Sequence, residues 1–324
     1  MHVNRRVFLG GVVGGAMLSV APRAAGGQSR PSFPLYDTHA HFFTNDTAHY
    51  PFNPGAPEGV RERILTRAMA TPMTPEIVFA MWDEVGIAMG CGVQYNSTYS
   101  TDNRYLIDIT RAHPDRITAI VILDAVDPAT PAALERMARE DGISGVRFTG
   151  SPDGDGAFSF LGPAAAPSWA MADRLGLSIV LMPVAPDMRP AMARVAEHAA
   201  RYPNVRVVLD HIGFPRPEAG PAFGLSEEHR ALSGYPNVYY KYTTLLIRQL
   251  EAAGVPTGPF LDHMVGTYGA DRMIWGTDVG NTPGTMREFV DVALASAAGL
   301  PLDRQRALFH DTAKRIFVPG GTAA

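Results

Sequence analysis

From Leu35 onward the chain alternates short, unbroken apolar runs with longer segments whose apolar residues recur every three or four positions. The short runs are Leu35-Tyr36-Asp37, Cys91 to Tyr95, Ile117 to Leu123, Ile143 to Phe148, Leu177 to Met182, Val205 to Leu209, Val238 to Tyr242 and Met273 to Trp275. They predict strands. Ile117 to Leu123 is rich in β-branched residues, the composition of a strand buried on both faces. Between the runs, Pro75 to Val85 sets Ile77, Val78, Met81, Trp82 and Val85 on one helical face. Helices are predicted likewise over Asp102 to Ala112, Pro131 to Asp141, Pro167 to Leu175, Met188 to Arg201, Gly258 to Tyr268, Thr285 to Ala298 and Asp303 to Phe317. Asp102 is placed to cap its helix, and Pro131, Pro167 and Pro190 fall in first turns, where a missing N–H costs nothing.

Strict alternation of strand and helix implies a parallel sheet, and eight repeats predict closure into a single (β/α)8 TIM barrel of the α/β class. An open doubly wound sheet fits less well, because no Gly-rich phosphate loop follows the first strand. No linker or short repeat divides the chain. The long segment from Phe42 to Thr74 contains Pro51-Phe52-Asn53-Pro54-Gly55 and is expected to arch over the barrel mouth.

The first residues read differently. Arg5-Arg6-Val7-Phe8-Leu9 sets twin arginines before a glycine-rich apolar stretch that ends near Val20, too short for an ordinary membrane span. The pattern resembles a twin-arginine (Tat) export signal over residues 1–27, cut after Ala21 or nearer Gly27, with an uncleaved anchor as the alternative. The barrel is then assigned to 31–318 and a short tail to 319–324. Export implies a periplasmic protein without a stable membrane span after cleavage.

Of the 324 residues, 46% are hydrophobic and 19% charged, a composition suited to a large core rather than to disorder. A net charge of −4 without a long basic run argues against a nucleic-acid partner. Cys91 is the single cysteine, which excludes an internal disulfide and any Cys-x-x-Cys site; within Gly90-Cys91-Gly92-Val93 it reads as a buried structural thiol.

Active sites of such barrels lie at the C-terminal ends of the strands. The first strand ends Asp37-Thr38-His39-Ala40-His41, the sixth Leu209-Asp210-His211-Ile212-Gly213 and the eighth Trp275-Gly276-Thr277-Asp278. Alternate residues share a face, so His39 and His41 both point inward. Three imidazoles and one carboxylate, Asp278, therefore converge, either to hold a metal or to let Asp278 activate water while the histidines orient substrate. Arg147 and Lys241 fall at matching depth on the fourth and seventh strands. A cation there needs an anion, supplied by an acidic substrate or by a buried partner such as Asp124 or Asp37 for Arg147. Tyr95, Asn96 and Tyr242 are candidates to line the pocket. His113, His198, His263 and His310 lie on the predicted outer helices, where packing or solvated roles fit better.

Asp-Thr-His-Ala-His, Gly-Val-Arg-Phe, Leu-Asp-His-Ile-Gly and Trp-Gly-Thr-Asp together resemble the strand-end motifs of the amidohydrolase superfamily. More narrowly they are similar to its branch containing 2-pyrone-4,6-dicarboxylate lactonase and L-fuconolactonase, and Thr101-Asp102-Asn103-Arg104 adds to the likeness. The resemblance spans Leu35 to Phe317. It implies hydrolysis of a small acidic lactone by water that Asp278 activates, with Arg147 and Lys241 binding a substrate carboxylate; Tyr242 and Asn96 are assigned to substrate contact from strand position alone. It leaves the cofactor open between one zinc ion on His39, His41, His211 and Asp278 and no metal at all, since Met182-Pro183 stands where metal-dependent members carry a histidine on the fifth strand. Lactone isomerisation or decarboxylation on the same scaffold is the alternative chemistry, and a non-catalytic periplasmic binding protein the alternative class. A homo-oligomer is compatible with all three.

Overall fold

The computed structural model describes residues 31–55, 58–153 and 157–318. Eight strands run in sequence order around one parallel sheet: β1 (Leu35–Ala40), β2 (Ile87–Val93), β3 (Ile117–Ile122), β4 (Gly145–Gly150), β5 (Ser178–Pro183), β6 (Arg206–Leu209), β7 (Val238–Thr243) and β8 (Met273–Gly276). The last strand meets the first just beyond the end of β8, where Asp278 N donates to His39 O at 2.8 Å and His41 N to Val279 O at 3.0 Å. The expected barrel is therefore present, with each strand within a few residues of its predicted place. The twin-arginine segment and the 319–324 tail lie outside the described residues. No helix among the described residues is long and apolar enough to cross a membrane.

The outer layer comprises α1 (Glu58–Ala70), α2 (Pro75–Val85), α3 (Asn96–Tyr99), α4 (Arg104–Ala112), α5 (Thr130–Glu140), α6 (Ala166–Leu175), α7 (Arg189–Arg201), α8 (Glu227–Ala231), α9 (Thr244–Ala252), α10 (Thr257–Tyr268), α11 (Met286–Ala297), α12 (Leu302–Arg306) and α13 (Thr312–Phe317). Thr285 opens α11 with a capping box, its side chain bonding Glu288 N while the Glu288 carboxylate accepts from Thr285 N. Asn103 rather than Asp102 precedes α4. Its amide bonds the end of β3, donating to Ile122 O at 2.8 Å and accepting from Ile122 N at 2.9 Å. The predicted helix over Asp303 to Phe317 is split by a π turn at Ala307–Asp311. Helix α9 follows β7 directly, and the long segment after β1 carries α1, neither of which the periodicity predicts.

Inside the barrel, Tyr36, Cys91, Ile120, Val180, Val208 and Ile274 form an apolar layer that Ala313, Ile316 and Phe317 of α13 close from below. Burying each large apolar side chain contributes about 1.5–3 kcal/mol. This plug leaves the C-terminal mouth as the end at which polar groups gather.

Candidate active site

The two ends of β1 serve different purposes. Asp37 belongs to the wall: it accepts from His39 N at 3.0 Å, Thr277 N at 2.8 Å and Trp82 Nε1 at 3.2 Å, and so fastens β1 to β8 and to α2. The register between β1 and β2 breaks between Asp37 and Ala40, which lets His39 and His41 turn to the interior although Asp37 faces outward. Gly276 on β8 is needed beside them, because a Cβ there would stand 2.6 Å from His39 Cβ.

His39, His41 and Asp278 form a compact, buried set whose ligand-type atoms all lie within 4.8 Å of one another. His39 Nε2 and His41 Nε2 each approach Asp278 Oδ1 to 3.5 Å. His41 Nδ1 is 2.8 Å from Val93 O, and a carbonyl only accepts, so that nitrogen carries the proton. His39 Nδ1 faces Asp210 Oδ1 at 3.4 Å, without a hydrogen bond between them, and a carboxylate oxygen there favours the same tautomer. Two imidazole lone pairs and one carboxylate oxygen thus point at a single place, where only a cation or an added proton makes their contact attractive. His39 Nε2 and Asp278 Oδ1 have no hydrogen-bond partner, and burial makes such orphaned groups costly. The donor set fits a divalent cation of the zinc type.

His211 stands beside this set rather than in it. Its ring centre lies 5.3 Å from that of His39, and its Nδ1 lies 2.6 Å from Thr243 Oγ1. Of the four residues considered as metal ligands from sequence, three are thus brought together, with His211 at their edge. Strand alternation would send Asp210 and His211 to opposite faces. A run of left-handed backbone at His211 (φ 53°), Ile212 (φ 57°) and Phe214 (φ 53°) turns both inward. Such angles strain a β-branched residue like Ile212 and persist only where neighbours enforce them. Here His229 Nε2 contacts Gly213 O at 3.0 Å, and Tyr268 Oη holds His229 O at 3.1 Å. Asp278 is left-handed as well (φ 58°); its Oδ2 accepts from Asn281 Nδ2 at 2.8 Å and from the Thr282 hydroxyl.

Burial lowers the pKa of His39 to about 3 and that of His211 to about 4, despite the opposing pull of Asp210, so both imidazoles are neutral at pH 7. Burial pushes the carboxyl of Asp278 the other way, but the imidazoles of His41, His39 and His211 beside it outweigh burial and hold it well below the usual carboxylate range. It is an anion at neutral pH.

Arg147 and Lys241 both bind Asp210, which sequence reading left without a role. Arg147 Nε lies 2.9 Å from Oδ2 and Lys241 Nζ 2.9 Å from Oδ1. The buried partner of Arg147 is thus Asp210 and not Asp124 or Asp37. Two cations meet one buried carboxylate, so one positive charge remains for the site. Arg147 also reaches Met182 Sδ. Tyr242 is not in the pocket: alternation on β7 sends Lys241 inward and Tyr242 outward, where it stacks on Phe260 of α10. Asn96 opens α3, and Tyr95 before it takes the interior place, stacked on His41 with ring centres 4.6 Å apart. The inward parity of Val208 is the signal that would have found Asp210.

A parallel barrel whose mouth gathers neutral histidines, an ionised aspartate and a partly compensated cation pair defines a class of barrel enzyme. The amidohydrolase family pattern matches residues 36–318, and the chain belongs to that family. The L-fucono-1,5-lactonase of Burkholderia ambifaria is 27% identical over 185 residues, 55% of this chain and 60% of that protein, so the match leaves a good third of the relative uncovered. Among solved structures, a 2-pyrone-4,6-dicarboxylic acid hydrolase candidate from Pseudomonas putida superposes with a TM-score of 0.69 at 23% identity, covering 88% of this chain and 97% of its own. A zinc-bound amidohydrolase from Burkholderia multivorans gives 0.65 at 18% identity over 88% and 99%. The 2,6-dihydroxybenzoate decarboxylase from Rhizobium gives 0.61 at 17% over 88% and 98%. These three likenesses concern the fold.

Proposed function

We propose that the protein hydrolyses a small lactone, or a similar cyclic ester, that carries an acidic group. The observation that carries this reading is the buried, unpartnered Asp278 Oδ1 at the focus of two imidazole nitrogens. The lactonase relative and the family membership support the same bond type. Asp278, ionised at neutral pH, takes a proton from water as the water oxygen bonds to the lactone carbonyl carbon. Thr243 Oγ1 accepts from Leu246 N and donates its hydroxyl proton to His211 Nδ1, leaving the Nε2 proton of His211 to meet the developing oxyanion. The ring C–O bond then breaks, Asp278 returns the proton to the leaving alkoxide, and a hydroxy acid departs. Arg147, with donors beyond those spent on Asp210, faces the acidic end of the substrate. His39, His41 and Asp278 are the residues that would hold a divalent cation, which when bound would polarise the carbonyl and lower the pKa of a water. The Arg5-Arg6 signal supports placing this activity outside the cytoplasm.

Asp278→Asn tests the reading. The amide is nearly isosteric and cannot accept the water proton, so kcat on a panel of acidic lactones should fall by about 10²–10⁴-fold. The thermal midpoint should stay close to that of the wild type. Acid release in a pH-stat, with carbon dioxide followed in parallel, separates ring opening from decarboxylation. A variant with wild-type kcat removes Asp278 from the role of base, and gas without ring opening overturns hydrolysis.

A further inference from the structure

Asp210 takes up Lys241 and part of Arg147, so only the spare donors of Arg147 are left there for an acidic group of the substrate. A second cationic pair stands at the mouth. Helix α1 carries Arg63 and Arg67 one turn apart, and both line a cavity of about 290 Å³ together with Phe43, Tyr95, Thr98 and Asn281. The lining contains no acidic side chain, and no ion pair joins either arginine to one among the described residues. Like charges at i and i+4 of a helix repel each other, and an anion between them removes the repulsion.

The cavity is joined to the catalytic group through one residue. Arg67 Nη1 donates to Asn281 O at 3.0 Å, Tyr95 Oη donates to Asn281 Oδ1 at 3.0 Å, and Asn281 Nδ2 donates to Asp278 Oδ2 at 2.8 Å. Arg67 is thereby fixed by one of its five N–H groups and keeps the others, while Arg63 is exposed at the rim. Tyr95, stacked on His41, forms the wall shared by the cavity and the imidazole cluster.

We propose that this cavity is the subsite for a carboxylate on the side of the substrate away from the scissile ester, gripped by the guanidinium forks of Arg63 and Arg67. The assignment rests on the lactone reading above for the identity of the substrate, and adds that the preferred substrate is a ring acid whose carboxylate lies toward α1. Planar forks match a carboxylate in a way that two ammonium groups would not.

The test uses the full-length protein and its Arg63→Gln variant. Arg63 is exposed, so the fold should tolerate the change, and an unaltered melting curve checks this. The probe is benzene-1,3-dicarboxylate, followed by calorimetry, beside a carboxylated lactone and its methyl ester as substrates. Dicarboxylate affinity should fall about ten-fold, the size of one lost charge-assisted bond. The KM for the carboxylated lactone should rise by a similar factor relative to that for the ester, and Arg63→Lys should recover part of both. Equal affinity in the variant and the wild type, or no dicarboxylate binding by either, overturns the subsite. Inorganic phosphate binding as tightly as the dicarboxylate overturns its assignment to carboxylate. If no lactone is opened by the wild type while the affinity loss holds, the subsite stands and the hydrolytic reading falls. Ring opening with unchanged affinity and KM in the variant leaves hydrolysis standing and removes the subsite.

Discussion

The same strands build the two ends of this barrel to opposite specifications. Near their N-termini the inward residues are Tyr36, Ile120, Val180, Val208 and Ile274, sealed by Ile316 and Phe317 of α13. One or two inward positions further on come His39, Arg147, Met182, Asp210, Lys241 and Asp278. The lower end gains from every contact, since apolar burial is non-directional and additive over area. At the upper end each charge has lost its water, and burial alone opposes it. The difference lies in partners: Asp210 survives because Lys241 and Arg147 face it, and those two cations hold its carboxyl well below the ordinary range against the burial that would raise it. Stability is therefore stored below, while above it is only balanced, and the balance hangs on a few pairs.

Breaking the central pair should have the largest effect on stability. Asp210→Asn removes the one carboxylate shared by two buried cations, a change of a kind that costs about 3–5 kcal/mol. It should lower the urea midpoint accordingly and reduce activity, since His39 also leans on Asp210. The comparison sharpens in a double-mutant cycle. Lys241→Met in the Asp210→Asn background should recover part of the loss, because it removes a charge that no longer has a partner. Additive losses would mean that Lys241 is stabilised by something other than Asp210.

The lower end should behave in the contrary manner. Phe317→Ala empties part of the apolar plug and should cost about 3 kcal/mol in the same urea titration. Because Phe317 packs in the plug and not at the mouth, kcat and KM measured well below the melting temperature should stay as they were. A fall in kcat at unchanged occupancy of the folded state would show that the plug sets the geometry of the mouth, and the division between the two ends would not hold.

How much of this is legible in the sequence follows from what each region depends on. Strands buried on both faces announce themselves as apolar runs, so the barrel and the strand-end positions of His39, His41, Arg147, Lys241 and Asp278 can be read from order and spacing. Periodicity says nothing about backbone sign, however. The left-handed turn at His211 and Ile212, which sets Asp210 and His211 on one side, is invisible for that reason. Partner choice is hidden as well: Asp210 meets Arg147 across 63 positions of sequence. Tyr242 is misplaced when its adjacency to Lys241 is given more weight than the alternation that separates them. Helix α1, with Arg63 and Arg67, lies within a segment that reads as loop, because Pro and Gly at its beginning mask a weakly amphipathic stretch.

The smallest effect is expected at the seam between the two ends, at Cys91. Its side chain is fully buried, with Sγ 3.8 Å from Tyr36 Oη and 3.5 Å from Thr118 Oγ1. Burial, the largest influence, raises the thiol pKa from 9.0 to about 11, although Thr118 and the charge of Lys241 pull the other way. The thiolate is the reactive form, so at pH 8 its population in the folded protein is about a hundredth of that in the unfolded chain. The sign for stability follows from the same shift. The unfolded chain releases this proton first, so the buried thiol favours folding up to about pH 9, and that contribution is lost as pH climbs from there toward 11. A maleimide at pH 8 should therefore leave the native protein unlabelled and modify one thiol per chain once urea unfolds it. Labelling that tracks the unfolded fraction across the urea transition would place Cys91 on the dry side of the seam. Native labelling at the rate of a free thiol would mean that water and reagent pass below the ring of His39, Arg147 and Lys241. The boundary between the stabilising and the merely balanced halves of the barrel would then lie a full layer lower than the packing of Tyr36 and Cys91 sets it.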